Sequence, residues 1–191
     1  YGCISTALRH ALFQVATIIT TTGYATVDFD LWSQFSRLLL VLLMFIGACA
    51  GSTGGGLKLR RIIIIVKYIG NYFTRMLHPN AIFRVKVNGE VVSPEYINKI
   101  FAYIFLYIVF IIGGAFVLTF CGCSIPDAIC MAAANISNLG PSPLINNLGG
   151  SLDYSLLPAV GKWTLTALML AGRLELFALI AIFSPAYWKR G

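Results

Sequence analysis

Twenty consecutive residues, Phe101 to Phe120, carry no charged side chain. At roughly 1.5 Å rise per residue such a run spans about 30 Å as a helix, the thickness of a bilayer's hydrocarbon core. The rest of the chain agrees: 58% of residues are apolar and 11% charged. A soluble domain of this length has no use for several such spans, so the sequence predicts an all-α membrane protein. The chain opens at Tyr1 with neither an initiator Met nor a signal-peptide pattern, and is expected to be a piece of something longer.

Two shorter apolar segments, Ser5 to about Ile19 and Ser124 to Ala134, each precede a polar, glycine-bearing loop and then a longer apolar stretch. The loops are Thr20-Thr21-Thr22-Gly23-Tyr24 and Asn135-Ile136-Ser137-Asn138-Leu139-Gly140-Pro141-Ser142. A segment of about half a bilayer's depth is tolerated only as a re-entrant helix, where protein or a water-filled cavity satisfies the irregular backbone that follows. The longer stretches align without gaps: Arg37, Met44 and Gly47 share their spacing with Lys162, Met169 and Gly172. A repeated order of short helix, loop and inner helix points to an ion pathway.

The chemistry of the loops fits that order. A permeating cation exchanges water oxygens for backbone carbonyls, and glycine reaches conformations closed to other residues when a carbonyl has to be aimed. Thr21, Thr22, Gly23 and Tyr24 resemble a potassium-filter sequence, with hydroxyls that can add ligands or lock the loop. Asn138, Leu139, Gly140 and Pro141 form the second candidate, which keeps one glycine and lacks a Gly-Tyr-Gly ending.

The first inner helix, read as beginning near Leu38 and running to Ala50, is broken by Gly51, Ser52, Thr53, Gly54, Gly55 and Gly56. A phosphate-binding loop is the rival reading of this segment, since Gly51 and Gly56 have the right separation. Leu57 stands where its lysine belongs, however, and a helix precedes it where a strand is required. A mobile break below a filter suits a gate. The second inner helix, expected from about Leu157 to Ile182, contains Arg173 near its middle, where an arginine must face protein or water. A structural ion pair is the alternative role, although Glu175 two residues on points away from it on a helix.

Charge placement sets the topology. The net charge is +7, and eight of the fourteen Lys and Arg residues lie between Lys58 and Lys99, with Lys189 and Arg190 after the last span. Both regions are cytoplasmic by the positive-inside rule, and the loops around Asp28, Asp30 and Asp153 face outward. The basic residues alternate with Ile62 to Val66, as beside a membrane, which argues against nucleic acid. The cysteines, Cys3, Cys49, Cys121, Cys123 and Cys130, are odd in number and scattered, and so read as small packing residues. Residues 78–92 read as a connector with a hairpin about Asn88-Gly89, and Ser93-Pro94-Glu95 as a helix start.

Thr22-Gly23-Tyr24, Gly51 to Lys58, Asn138 to Pro141 and Gly172-Arg173-Leu174-Glu175, in that order, resemble the Trk/Ktr superfamily of potassium-uptake proteins. The resemblance implies degenerate helix–pore-loop–helix repeats of potassium-channel-like architecture around a pseudo-fourfold pore. Residues 1–77 would supply the pore helix, filter and broken inner helix of a third repeat, and residues 93–191 a complete fourth. It also implies that Arg173 and the glycine segment gate the pore, and that potassium is the substrate, with no covalent cofactor and no enzymatic step. A homodimer in the bacterial inner membrane, crossing it several times, would contact lipid and a cytosolic ring of nucleotide-binding regulatory subunits, for which Lys58 to Lys99 is a candidate docking face. Two other classes remain: a secondary transporter with broken helices that binds a small anion or amino acid at the midplane, and a structural membrane subunit with no pathway.

Overall fold

The computed structural model describes residues 4–28, 31–47, 55–77, 85–87, 89–140, 154–155, 157–174 and 176–177. Among them are helices α1 (Ile4–Ile19), α2 (Gln34–Ile46), α3 (Leu59–Leu77), α4 (Pro94–Phe120), α5 (Ile125–Ile136) and α6 (Ala159–Arg173). Strands β1 (Lys86–Val87) and β2 (Glu90–Val91) pair antiparallel between α3 and α4, with Lys86 opposite Val91 and Val87 opposite Glu90. That register leaves a two-residue turn in which Gly89 has φ 87°, a conformation that glycine accepts at no steric cost.

Hydroxyl caps start three of the helices. Ser33, Ser93 and Ser124 accept from the backbone N–H of Ser36, Tyr96 and Asp127, and Pro94 and Pro126 occupy first-turn positions where a missing N–H costs nothing. Ser124 Oγ also donates to Asp127 Oδ2 at 2.7 Å, which fixes the carboxylate near the positive end of α5.

Helix α4 is the one helix among the described residues that is long and apolar enough to cross a bilayer; α1, α2 and α5 are apolar but shorter. Ile97, Ile100, Tyr103, Tyr107, Ile111, Gly114, Ala115 and Leu118 make its buried stripe. Its opposite face exposes Phe105, Ile108, Ile112, Phe116 and Phe120. Only 33% of its most apolar stretch is buried within this chain, whereas the core helix of a soluble domain is mostly buried.

Helix α5 is the opposite case. Nine of its twelve residues are buried, with Ala132, Ala133 and Ala134 wholly inaccessible between α4 and α6. Small side chains permit that approach: a Cβ on Gly114 of α4 would come within 2.6 Å of Leu168 of α6. The main core joins α1, α2, α4, α5 and α6. A second cluster, Ile64, Val85, Ile97 and Ile100, ties α3 and the hairpin to the start of α4, where Lys67 Nζ donates to the Lys86 carbonyl and Arg61 lies 3.8 Å over the Tyr103 ring.

One inner-helix end differs from expectation, and the other extends beyond the described residues. The first inner helix, α2, stops at Ile46 rather than Ala50, because Gly47 turns to φ 64° and the chain comes back at Gly55, whose carbonyl oxygen would lie 2.8 Å from a Cβ on Gly47. Returning, Leu57 N–H donates to the Phe45 carbonyl at 3.3 Å. The second, α6, starts near the expected place and is continuous to Arg173; after a bend at Leu174, Leu176 and Phe177 are helical again, and residues 175 and 178–182 lie outside the described residues. Cys123 and Cys130 are buried thiols and Cys121 is half-buried, none of them in a disulfide.

Candidate functional site

Both short helices end in the same motif. After α1, Thr22 N–H donates to Thr17 O (2.9 Å) and Thr21 N–H to Ile18 O (3.2 Å); after α5, Leu139 N–H donates to Ala134 O (2.9 Å) and Asn138 N–H to Asn135 O (3.0 Å). These paired bonds over five and three residues are Schellman caps, which require a left-handed residue just past the helix. Thr21 (φ 54°) and Asn138 (φ 57°) fill that position, and two residues later Gly23 (φ 79°) and Gly140 (φ 89°) are left-handed again. The two loops therefore share one backbone path despite unlike sequences.

Helix α4 ends in the same kind of cap. Its own Schellman cap, Cys123 N–H to Leu118 O and Gly122 N–H to Thr119 O, has glycine at the left-handed position, Gly122 with φ 96°. At the two loops that place is given to threonine and asparagine. Asparagine is among the side chains that tolerate it, whereas a β-branched residue there is a genuine outlier, of the kind that collects at functional sites.

Side chains then lock each loop. In the first, Thr20 Oγ1 donates to Ala16 O at 2.6 Å, so its 2.8 Å bond with Thr22 Oγ1 uses the Thr22 hydrogen. Tyr24 is 72% exposed and takes no part in the core. In the second, Ser137 Oγ meets Tyr107 Oη of α4 at 2.7 Å in a buried contact, and Tyr154 Oη donates to the Gly140 carbonyl. Burial pushes the Tyr154 phenol pKa up to about 12, so it remains a donor across the physiological range.

The second loop is also where Gly55 and α6 come together. A Cβ on Gly172 would overlap the Ile136 carbonyl oxygen, and one on Gly55 would overlap the Ser137 carbonyl oxygen; both would press on the Asn138 amide. With its oxygen and nitrogen exchanged, that amide would donate to Met169 O and accept from the Arg173 backbone N–H, each at 3.2 Å. Thus Asn138, Gly55 and the turn of α6 that ends in Arg173 share one patch beneath the loop.

Of the residues singled out from sequence, Thr21, Thr22, Gly23, Tyr24, Asn138, Leu139, Gly140, Gly55, Gly56 and Arg173 are described. Gly51, Ser52, Thr53, Gly54 and Pro141 lie outside the described residues. Tyr107, Ser137 and Tyr154 were not singled out. A tyrosine inside an uncharged span needs a partner for its hydroxyl, and that requirement is the signal that marks Tyr107.

Comparison with known proteins accords with this arrangement. The model of the TrkH family, described as a cation transport protein, matches residues 4–190. The potassium uptake protein TrkH of Halomonas elongata is 38% identical over 96% of the chain and 37% of its own length, and that of Salmonella typhimurium 34% identical over 99% and 38%. The crystal structure of the potassium transporter TrkH from Vibrio parahaemolyticus superposes with a TM-score of 0.83 at 32% identity, over 98% of this chain and 39% of that one. The chain thus spans a little over a third of the length of these relatives, and it belongs to the TrkH family of cation transport proteins.

Proposed function

We propose that the protein of which this chain is part takes up potassium through a carbonyl-lined filter, to which the loops Thr21 to Tyr24 and Asn138 to Pro141 contribute two of four segments. The observation that carries this reading is the shared backbone of the loops, left-handed at Thr21 and Gly23 and again at Asn138 and Gly140. Such alternation turns successive carbonyls in a way that an extended or helical strand does not. The names of the relatives, potassium uptake proteins, support the choice of ion.

The residues from Gly51 to Gly56 and Arg173 act in this reading as the closed gate. The segment leaves and rejoins the chain at one place, since Gly47 and Gly55 are in contact, and Gly55 and Gly172 both pack under the second loop. A guanidinium within about 4 Å of a permeating cation would repel it by roughly 4 kcal/mol at an effective dielectric near 20. The basic stretch from Lys58 to Lys99 faces the cytoplasm and meets a nucleotide-binding regulatory ring, and the whole protein works as a homodimer in the bacterial inner membrane.

The test is potassium uptake by the full-length protein in cells that lack other potassium transport. Wild type is expected to restore growth on limiting potassium, and Arg173→Ala to raise uptake most when the regulatory partner is absent. No rescue by wild type, with uptake of an anion or amino acid instead, would transfer the assignment to a broken-helix secondary transporter.

A further inference from the structure

The two loops follow one backbone path, so their residues correspond one to one: Thr20 with Ser137, Thr21 with Asn138, Thr22 with Leu139 and Gly23 with Gly140. In the first loop the hydroxyls of Thr20 and Thr22 meet at 2.8 Å, a lock made across the left-handed residue by the loop's own side chains. The second loop has no copy of it, because Leu139 stands in the place of Thr22 and packs into the main core. Ser137 keeps its hydroxyl, and Tyr107 Oη of α4 meets it at 2.7 Å. Tyr107 is 1% exposed and Ser137 not at all, so neither hydroxyl is open to bulk water and each needs the other. The phenol is itself braced, its ring lying along that of Tyr103 with centroids 6.3 Å apart. At its other end the same loop is again tied to a tyrosine, Tyr154 Oη donating to the Gly140 carbonyl.

We propose that Tyr107 is a positioning residue for the filter, its phenol supplying from α4 the hydroxyl contact that Thr22 supplies within the first loop. Ser137 immediately precedes the left-handed Asn138, and its own carbonyl lies against Gly55. Tying the Ser137 side chain to α4 fixes the rotation of this residue, and with it the direction of the carbonyls that follow at Asn138 and Leu139. Selectivity then depends on the tie. Sodium is the smaller ion, and carbonyls free to move inward accommodate it, whereas a loop held by α4 keeps the spacing that suits potassium. This inference rests on the filter reading above and adds to it a residue that lies in neither loop.

Two substitutions remove the bond from opposite sides. Tyr107→Phe keeps the ring and its stacking on Tyr103 while deleting Oη, and Ser137→Ala deletes the other hydroxyl. Each substitution, and the two together, is introduced into the full-length protein, and the potassium over sodium permeability ratio is read beside the midpoint of thermal unfolding in detergent. Both single variants are expected to conduct with the ratio lowered by about three- to tenfold, the fold-change that corresponds to one net hydrogen bond. The double variant is expected to fall no further than the lower of the two singles, since all three lack the same bond. A wild-type ratio in either conducting single variant overturns the proposal, even where the midpoint is lowered, which is all that a purely structural bond would give. Reductions that multiply in the double variant overturn it as well. If one single variant does not reach the membrane, the other decides alone. A wild type without potassium preference overturns the filter reading and this inference with it, whereas a selective wild type with equally selective variants overturns this inference only.

Discussion

Thr21 and Asn138 occupy equivalent left-handed positions, yet only one of them is suited to it. A β-branched residue at φ 54° is held there by its surroundings, here the Thr22 N–H bond to Thr17 O and the linked hydroxyls of Thr20 and Thr22. Replacing Thr21 by asparagine, which accepts the conformation more readily, is therefore expected to raise stability by up to about 1 kcal/mol. The midpoint of thermal unfolding in detergent checks this, and a lower midpoint would mean that the Thr21 side chain makes a contact worth more than its strain. At this scale the sequence was legible where chemistry is local. Gly23 and Gly140 declared themselves by residue type, as did the serine and proline cap of α4. Tyr107, Ser137 and Tyr154 did not, because their partners lie 30 and 14 residues away and nothing in local pattern links them.

Among the elements, the end of the first inner helix carries the information. Apolar residues run without interruption past Gly47, so periodicity alone extended α2 to Ala50. The turn is set by the Gly55 backbone packing on Gly47, a tertiary contact. Hydrophobic pattern reports which face is buried and is silent about what intrudes. Two glycines test this directly. Gly172→Ala forces the α6 backbone away from the Ile136 carbonyl and should destabilise by about 1–3 kcal/mol, the cost of overpacking a close contact. Gly113→Ala on α4, with open space around the added methyl, should be neutral or stabilise by less than about 1 kcal/mol. Equal effects of the two substitutions on the unfolding midpoint would show that α5 and α6 do not meet as closely as described here.

For the molecule as a whole, the uncharged run from Phe101 to Phe120 gave the environment, and the structure gives its other side: α4 uncovered on an apolar face, α5 mostly buried. A largely buried helix too short to cross, followed by a loop with left-handed turns, has the form that irregular backbone needs where protein surrounds it. The order of elements was readable because it repeats. The packing of Gly55 and Gly172 under one loop was not, since it depends on backbones meeting at glycines far apart in the chain. The central claim is that these loops aim carbonyls at a cation, and the potassium over sodium permeability ratio of the full-length protein tests it most directly. Serine at Gly23 or Gly140 disfavours φ 79° or 89° by roughly 1–2 kcal/mol. The account predicts that the ratio falls by about five- to thirtyfold in each variant while flux persists. Ratios unchanged from wild type in both conducting variants would contradict it.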